Sequence, residues 1–474
     1  MINSYLEEVI LQHFPYNPTQ EQLIALHTIS GFLLPGCNPD ALLLLKGYAG
    51  TGKTSLIGAL VKALSQLHQK TVLLAPTGRA AKVFSLYAGH KAFTIHKKIY
   101  RQKSFSDEAA GFVTAGNPHK DTLFIVDEAS MIANQTGDSY LFGSGRLLDD
   151  LIHYVYEGEN CRLLLMGDEA QLPPVMQAES PALNPEILRG YNLRVKEVRL
   201  TQIVRQSEDS GILLNATHLR EALRMQTTHI FPKFRLKGVA DLKKIQGDEL
   251  LEEITTTYMR DGIEETMIVV RSNKQANVYN LGIRNRILYR EEELSSGDRL
   301  MVARNNYYWT ADNQEMDFIA NGEIIEVLRV KKITEFYGFR FADVCVRFPD
   351  YEMESDIKIL LDTLQSETSA LSPQLNDKLF HAVLEDYAHI TTKAERMKKM
   401  KVDPYYNVVQ VKYAYAVTCH KAQGGQWKNV FLDIGYIKED ILGEEFYRWL
   451  YTAVTRATGC LYLVNLPDMF SYKG

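Results

Sequence analysis

The sequence predicts an α/β protein in which two parallel-sheet units follow one another and a small β-barrel interrupts the second. Short apolar strands alternate with helical stretches from Leu42 to about Val198, and a second set of apolar strands opens at residues 267–270. Such alternation is typical of a parallel sheet covered by helices. Between the two sets, residues 301–349 have the pattern of consecutive strands and turns. Two such units in tandem would form a cleft between them.

The strands of each part can be placed from the apolar runs. Those of the first unit are expected at residues 41–45, 71–75, 123–126 and 162–166, and those of the second at 267–270, 414–417, 430–434 and 461–464. Those of the barrel are expected at 301–303, 318–320, 323–330 and 338–348, with a hairpin signal at Asn321-Gly322. Residues 355–401 are expected to be helical and charged.

Composition argues against a disordered, a membrane-spanning and a secreted protein. The 474 residues are 46% hydrophobic and 23% charged with a net charge of −5, which is typical of a folded chain, and the length suggests about three domains. No apolar run approaches the ~20 residues that a bilayer crossing needs. The N-terminus carries no basic-then-apolar signal, and the five cysteines form no C-x-x-C pair. We therefore expect a cytoplasmic protein without a membrane segment.

Three clusters of basic residues interrupt the otherwise acidic balance. The first lies at residues 97–103 and contains an interleaved tyrosine, the second at 233–244 and the third at 393–401. A basic cluster is commonly a solvated face, but cations with interleaved aromatics also suit single-stranded nucleic acid.

A complete phosphate-binding loop occupies residues 47–54, which read GYAGTGKT. It follows an apolar strand and precedes a helical pattern, the context in which such a loop gathers backbone N–H groups around a polyphosphate. Lys53 would reach the β- and γ-phosphates, and the Thr54 hydroxyl would bind Mg²⁺.

Acidic and amide side chains follow the next apolar strands. Asp127 and Glu128 come directly after residues 123–126, where Asp127 would hold Mg²⁺ and Glu128 would polarise the attacking water. Gln171 follows residues 162–166 and is placed to sense a γ-phosphate, with Pro173 and Pro174 stiffening its loop. These residue types predict nucleotide hydrolysis.

The ordered set of motifs resembles superfamily 1B of the helicases, the RecD-like and Dda-like enzymes. The matching segments are 18–22, 47–54, 75–81, 94–96, 127–128, 167–173, 200–206, 414–426 and 451–457. They span nearly the whole chain in the order of the family.

The resemblance implies a fold and a domain plan. Two RecA-like domains and an SH3-like barrel are expected, with the first domain at residues 1–198 and a short insertion at about 98–120. The second domain would comprise 199–300 and 405–474, and the inserted subdomain 301–404. The family's strand-separating pin would be small here, because the segment between Ile99 and Asp121 is short. The charged stretch 355–401 has no counterpart that we can place.

The resemblance also implies an ATP site. Gln22 should bind the adenine edge, Gly47, Gly50, Thr51 and Gly52 should surround the phosphates with Lys53 and Thr54, and Mg²⁺ should accompany the nucleotide. Arg205 and Arg456 should reach the γ-phosphate from the second unit, where each would stabilise charge in the transition state.

A path for nucleic acid is implied at the remaining motifs. The expected contacts are Pro76, Thr77, Gly78, Thr94, His96, Lys98, Thr418, His420 and Gln423. The implied partners are single-stranded DNA, junctions of single- and double-stranded DNA, and recombination, repair or replication proteins; a monomer is expected.

The resulting hypothesis is an ATP-dependent helicase or translocase that moves 5′→3′ on single-stranded DNA. Alternatives are a DNA-stimulated ATPase subunit of a nuclease or recombination complex, and an ATPase switch that does not unwind. A protein acting on RNA is a further alternative, because phosphate contacts do not distinguish the 2′-OH.

Overall fold

The computed structural model describes residues 2–34, 36, 38–102, 112–135, 143–204, 210–310, 316 and 318–472. Two α/β domains and a closed β-barrel make up the fold. The fold class expected from the sequence is confirmed: both large sheets are parallel, and the barrel interrupts the second domain.

The first domain contains a six-stranded parallel sheet of order β3-β2-β6-β7-β1-β8. Its elements are α1 (Ile2–His13), α2 (Gln20–Leu33), β1 (Ala41–Gly47), α3 (Lys53–Gln66), β2 (Lys70–Ala75), α4 (Gly78–Ala88), β3 (Ala92–Thr94), α5 (Ile95–Ile99), β4 (Tyr100–Gln102), β5 (Phe112–Thr114), β6 (Thr122–Val126), α6 (Leu147–Glu157), β7 (Arg162–Gly167), α7 (Pro185–Arg189) and β8 (Arg194–Leu200). The pair β4–β5 forms a separate antiparallel hairpin.

The second domain contains a five-stranded parallel sheet of order β16-β10-β17-β18-β9, and β11 to β15 close the barrel. The elements are α8 (Gly211–Arg224), β9 (Leu242–Ile245), α9 (Leu250–Asp261), β10 (Thr266–Val270), α10 (Asn273–Arg286), β11 (Arg299–Val302), β12 (Ile324–Phe336), β13 (Phe339–Phe348), β14 (Met353–Leu360), α11 (Pro373–Asp386), α12 (Lys393–Lys401), β15 (Val409–Tyr413), β16 (Ala416–Thr418), α13 (Cys419–Ala422), β17 (Trp427–Asp433), α14 (Glu444–Val454) and β18 (Ala457–Val464).

The strands form where apolar residues are continuous, because both faces of each large sheet are covered. Every residue of β1, β6, β7 and β10 is buried. One face of the first sheet packs against α1, α2 and α3, and the other packs against α6. Parallel sheets covered in this way have near-continuous apolar strands, which is why the expected strands of both domains lie where the structure has them. None of the described helices is long and apolar enough to cross a membrane.

The barrel differs from its predicted outline in two ways. The hairpin between β12 and β13 turns at Tyr337 and Gly338, both with positive φ, whereas Asn321-Gly322 only leads into β12. Residues 318–320 form no strand and pair through a single bridge, Asn306 to Ile319.

The stretch expected to be helical from residue 355 begins with a strand. Within β14, residues 357–360 are all buried, including Lys358, which pairs with Asp343 of the neighbouring strand β13 at 2.5 Å. The prediction was wrong there because a buried, paired lysine gives a strand the charged sequence that is typical of an exposed helix. The helical part begins at Pro373.

A buried ion pair attaches α10 to the start of the barrel. Asp298 is fully buried and accepts two hydrogen bonds from the Arg284 guanidinium, each of 2.9 Å, and one from Arg290 of 2.9 Å. The hydroxyl of Tyr415, next to β16, donates to the same carboxylate at 3.0 Å. One carboxylate therefore ties the barrel to the helix and the sheet of the second domain.

We expect Asp298→Asn to destabilise the protein by about 3–5 kcal/mol, because it leaves Arg284 buried without a counter-charge. The measurement is the urea-induced unfolding of the second domain. Asp356→Asn is the matched control, since its partner Lys331 and itself are both exposed; a surface pair contributes less than about 1 kcal/mol. Equal effects of the two substitutions would contradict the role of Asp298.

Candidate nucleotide site and nucleic-acid interface

A cavity of about 540 Å³ lies between the two α/β domains, at the carboxyl ends of β1, β6 and β7. The first domain contributes residues that follow these strands, and the second contributes residues 455–458 and the loop after α13. Both the size and the place, at strand ends in a parallel sheet, are typical of cofactor sites.

The phosphate-binding loop forms one wall of this cavity. Gly50 and Gly52 have φ of +79° and +80°, a region that L-residues rarely adopt. A Cβ on Gly52 would also lie 2.6 Å from Nε2 of Gln22. Gly52 precedes α3, and no side chain caps the first turn of this helix. Its free N–H groups make a site for an anion.

Lys53 and Gln22 are both tied to the backbone of the loop. The Lys53 ammonium donates to the carbonyls of Gly47 at 2.5 Å and Tyr48 at 2.9 Å. The buried Gln22 side chain donates to the Thr51 carbonyl at 3.0 Å and accepts from the Thr19 amide at 3.0 Å. One N–H and one lone pair of this amide are left for a ligand.

Two adjacent carboxyl groups follow β6 on the opposite wall. Glu128 has a φ of +51°, and its N–H donates to Asp127 at 2.7 Å. Burial, followed by the charge of Glu128, raises the pKa of Asp127 to about 7, although the Glu128 N–H and the Lys53 ammonium both lower it. The two acidic groups therefore share one buried place, where a bound cation would favour their charged forms.

Gln171 lies in the loop after β7, which lines the same cavity. Its side chain is 6% exposed, and Oε1 finds no hydrogen-bond partner among the described residues. A buried amide oxygen without a partner costs free energy, so this side chain suits a ligand or a water that donates to it.

The second domain holds the backbone of this loop from across the cleft. The amide of Leu172 donates to the Thr452 hydroxyl at 2.8 Å, and its carbonyl accepts from the Gln423 side chain at 2.8 Å. Arg448 also donates to the Gln171 carbonyl at 3.4 Å. A displacement of Gln171 would therefore directly affect the hydrogen bonds that this loop makes with α14 and with Gln423 after α13.

Tyr451 of α14 makes a second bridge. Its hydroxyl accepts from the Ala49 amide of the phosphate-binding loop at 2.9 Å and donates to Asp168 at 2.6 Å. Burial, followed by the neighbouring Asp168 charge, raises the pKa of Tyr451 well above its usual range. The hydroxyl stays protonated and connects two loops of the first domain through the second.

Arg456 lines the cavity from the second domain. Its guanidinium, 2% exposed, donates to the carbonyls of Thr452 at 3.0 Å and Gly425 at 3.1 Å, and to the Thr455 hydroxyl at 3.2 Å. No described carboxylate pairs with it. The other arginine expected here, Arg205, lies outside the described residues.

The expected nucleic-acid contacts of the first domain lie at two helix starts. Pro76 and Thr77 are half-buried, and Thr77 caps α4 by accepting from the Ala80 amide at 3.2 Å. Gly78 is buried, and a Cβ there would lie 2.7 Å from a carboxyl oxygen of Glu323 in the barrel. The barrel therefore covers this end of α4, where Gly78 is an expected contact of the nucleic acid.

The second helix start contains Thr94, His96 and Lys98. Thr94 is buried and caps α5 by accepting from the Lys97 amide at 3.1 Å. Burial lowers the pKa of His96 to about 4, so the imidazole is neutral at physiological pH. Lys98 lies 5.6 Å from the centre of the Phe93 ring, and burial lowers its pKa. His96 therefore adds no positive charge here.

Thr418, His420 and Gln423 do not share one surface. Thr418 is half-buried at the end of β16 and His420 is exposed, but Gln423 is buried with its amide on Leu172. The structure gives Gln423 a contact across the cleft, which departs from the predicted contact with DNA. Lys421, not predicted, donates to Asn321 at 2.5 Å, and burial lowers its pKa to about 8.

Comparison with known families agrees with this two-part site. An AAA domain matches residues 35–230, and a UvrD-like helicase C-terminal domain matches residues 413–464. The two matches contain the phosphate-binding loop and Arg456, the residues that face each other across the cavity. The chain thus combines an AAA domain with a UvrD-like helicase C-terminal domain.

Three curated proteins named as ATP-dependent DNA helicases resemble the chain at low identity. The ATP-dependent RecD2 DNA helicase of Deinococcus radiodurans is 27% identical, over 61% of this chain and 36% of its own length. The ATP-dependent DNA helicase dda of Enterobacteria phage T4 is 24% identical over 62% and 64%, and the ATP-dependent DNA helicase Pif1 of Campylobacter jejuni is 22% identical over 87% and 86%. The chain thus spans about a third of RecD2.

Among solved structures, one of Pif1 helicases at forked double-stranded DNA is similar to this chain. The match covers 97% of this chain and 95% of the Pif1 chain, at 17% identity and with a TM-score of 0.48.

The site has the donors that a nucleotide with Mg²⁺ requires. Thr54 lies in the first turn of α3, and Asp127 with Glu128 supplies carboxyl oxygens at the same cavity. Hard oxygen donors of this kind fit a divalent cation.

Sequence reasoning did not identify the residues that join the two domains. Tyr451 and Thr452 belong to the same segment as Arg456, and Asp168 belongs to the segment of Gln171. The available signal was the position of Tyr451 and Thr452, which lie on one helical turn shortly before Arg456 and therefore close to the cavity.

Glu323 is a buried acidic side chain at the interface between α4 and the barrel. It is 3% exposed, and neither carboxyl oxygen has a hydrogen-bond partner among the described residues. Burial, followed by the charge of Asp350, raises the pKa of Glu323 to about 8, although Lys82 and Arg79 both lower it. The carboxyl group is therefore largely neutral at pH 7.

We expect Glu323→Gln to stabilise the protein increasingly as pH rises. The raised pKa means that the folded protein holds this proton more tightly, so stability present below pH 4.5 is lost as pH approaches 8. Because one pKa unit corresponds to about 1.4 kcal/mol, the gain above pH 8 is on the order of 2–4 kcal/mol and near zero at pH 4. Thermal unfolding at several pH values measures it. A gain independent of pH would contradict the assignment.

Proposed function

We propose that the chain is an ATP-dependent DNA helicase that translocates on single-stranded DNA in the 5′→3′ direction. The observation that carries this proposal is the cavity between the domains, where Lys53, Glu128 and Gln171 face Arg456. Three relatives named as ATP-dependent DNA helicases support it.

Within the proposed mechanism, the residues of the first domain bind and orient the nucleotide. Lys53 would exchange its carbonyl partners for phosphate oxygens, and Gln22 would use its remaining N–H and lone pair on the adenine edge. Mg²⁺, held through Thr54 and Asp127, would neutralise charge on the phosphates. Glu128 would accept a proton from the attacking water, and Gln171 would orient that water or the γ-phosphate.

The second domain would complete the site only when the cleft closes. Arg456 is already buried at the cavity, and it pairs with no carboxylate of the described residues, so it can turn to phosphate oxygens. Arg205 is proposed for the same role from the sequence alone. Leu172 and Tyr451 would then pass the change at Gln171 and the phosphate-binding loop to α14, because both are bonded across the cleft.

The single strand is proposed to lie across the starts of α4, α5 and α13. The proposed contacts that are at least partly exposed are Pro76, Thr77, His96, Lys98, Thr418 and His420, and the buried Thr94 caps the start of α5 beside them. Gly78 would become accessible only if the barrel moved away from α4.

Cellular context is part of the same proposal. We place the protein in the cytoplasm as a monomer, acting on junctions of single- and double-stranded DNA with recombination, repair or replication proteins. The described cysteines are free thiols, which suits a reducing compartment.

The first experiment is strand displacement with ATP and Mg²⁺ on duplexes that carry a 5′ or a 3′ single-stranded tail. Unwinding from the 5′ tail alone is expected. Unwinding from the 3′ tail alone would overturn the direction, and DNA-stimulated hydrolysis without unwinding would indicate a subunit of a larger complex or a switch. Equal or stronger stimulation by RNA would overturn the choice of DNA.

We expect Glu128→Gln to bind ATP normally and to lower the rate of hydrolysis by about 10²-fold or more, because it removes the proton acceptor while keeping the shape. Nucleotide binding and single-strand-stimulated hydrolysis are measured in parallel. Lys53→Ala is the matched comparison, which should lose binding as well. A Glu128→Gln variant with unchanged turnover would assign the proton acceptor elsewhere.

A further inference from the structure

The helix α12 presents the most strongly basic surface among the described helices. It carries five basic residues and one acidic residue in nine positions. Lys393, Lys398 and Lys399 are exposed, and none of them pairs with an acid among the described residues. Glu395, the single acid, accepts a hydrogen bond from the Thr392 hydroxyl at 2.8 Å. The lysine charges are therefore left unbalanced on this helix.

The helix is fixed in place by its other face. Met400 is fully buried in a cluster with Phe339, Phe341 and Val383, which joins α11 and α12 to the barrel. Arg396 donates to the carbonyls at the end of α11, Ile390 at 2.5 Å and Ala388 at 3.2 Å. The exposed lysines thus project from a helix whose other face is packed against the barrel and α11. Arg396 is engaged in hydrogen bonds that hold this packing.

A series of contacts connects the C-terminal end of α12 to the first domain. The side chain of Asn407 donates to the Lys401 carbonyl, the last residue of α12, at 2.9 Å. The Asn407 carbonyl accepts from the Trp309 indole at 2.8 Å. In the same loop, the Tyr307 ring lies 4.3 Å from the Phe112 ring of the β4–β5 hairpin. The C-terminal end of α12 therefore adjoins the loop that touches this hairpin.

The same barrel meets the proposed single-strand path at its other end. Phe348 ends β13, and Asp350 just beyond it pairs with Lys82 of α4 at 2.8 Å. The cluster that holds α12 contains Phe339 and Phe341 from the opposite end of β13. The barrel thus separates α12 from α4.

We propose that the lysine face of α12, formed by Lys393, Lys398 and Lys399, binds the phosphate backbone of the duplex ahead of the point where the strands part. The inference rests on the proposed function, because it requires a strand junction. If the β4–β5 hairpin marks that junction, the single strand lies on the α4 side and the duplex on the α12 side. Lysine ammonium groups on a rigid helix bind phosphates without regard to sequence.

The test compares the double variant Lys398→Gln, Lys399→Gln with the unsubstituted protein. Binding of a tailed duplex and of a single strand matching the tail is measured by fluorescence anisotropy over a range of salt concentrations. Each lost phosphate contact lowers the slope of log K against log salt by about 0.9, so two contacts lower it by about 2 and weaken duplex binding roughly three- to tenfold. Binding of the single strand and the hydrolysis it stimulates should be unchanged.

The matched control is Lys196→Gln, Lys237→Gln, which removes the same charge from exposed positions in other parts of the chain. An equal effect of the control would assign the loss to net charge and overturn the proposal. Unchanged duplex binding by the α12 variant would overturn it as well, as would an equal loss on the single strand. Loss of poly-glutamate binding with intact duplex binding would assign the face to an acidic protein partner. If the unsubstituted protein shows no DNA-stimulated hydrolysis, the proposed function itself fails.

Discussion

A buried peptide group needs a partner for both its N–H and its carbonyl, and at Leu172 both partners come from the opposite domain. Thr452 accepts from the amide, and Gln423 donates to the carbonyl. Leu172 follows Gln171, whose amide oxygen faces the nucleotide cavity. The two domains therefore meet through the backbone next to the residue that would register the phosphate. Any shift of this loop must either carry the second domain with it or leave buried polar groups unpaired.

Tyr451 imposes the same constraint on the phosphate-binding loop. Its hydroxyl lies between the Ala49 amide and the Asp168 carboxylate, so two loops of the first domain share one group of the second. Both contacts arise from α14, which ends just before Arg456. The helix that makes the contacts to both walls of the cavity therefore ends two residues before the arginine that lines it. This arrangement explains how closure and hydrolysis could be linked without a long chain of intermediate residues.

Charge at the two interfaces of the first domain follows a common pattern. At the cavity, burial beside Glu128 raises the pKa of Asp127, and a nucleotide-bound cation would favour the charged carboxylate. At α4, burial likewise raises the pKa of Glu323, whose carboxyl group lies over Gly78, an expected contact of the nucleic acid. The barrel therefore occupies part of the surface assigned to the single strand. Asp298 anchors the barrel to the second domain, so movement at α4 would be movement of the two together.

The sequence by itself determined the chemistry of the nucleotide site. A phosphate-binding loop, an acidic pair and a glutamine each follow an apolar strand, and strands of a parallel sheet end at one edge whatever the details of packing. Local patterns therefore sufficed to place Lys53, Asp127 and Gln171 at one cavity, and to place both large sheets. They failed at β14, where the buried Lys358 gives a strand the charged sequence that is typical of a helix.

Tertiary structure decided everything that depends on residues far apart in the chain. Gln423 turned inward to Leu172, Gly78 was covered by Glu323, and Asn407 joined α12 to the loop beside the hairpin. Each of these contacts joins segments that no short pattern connects, because a motif specifies which groups a side chain can bind but not which partner the fold brings within reach.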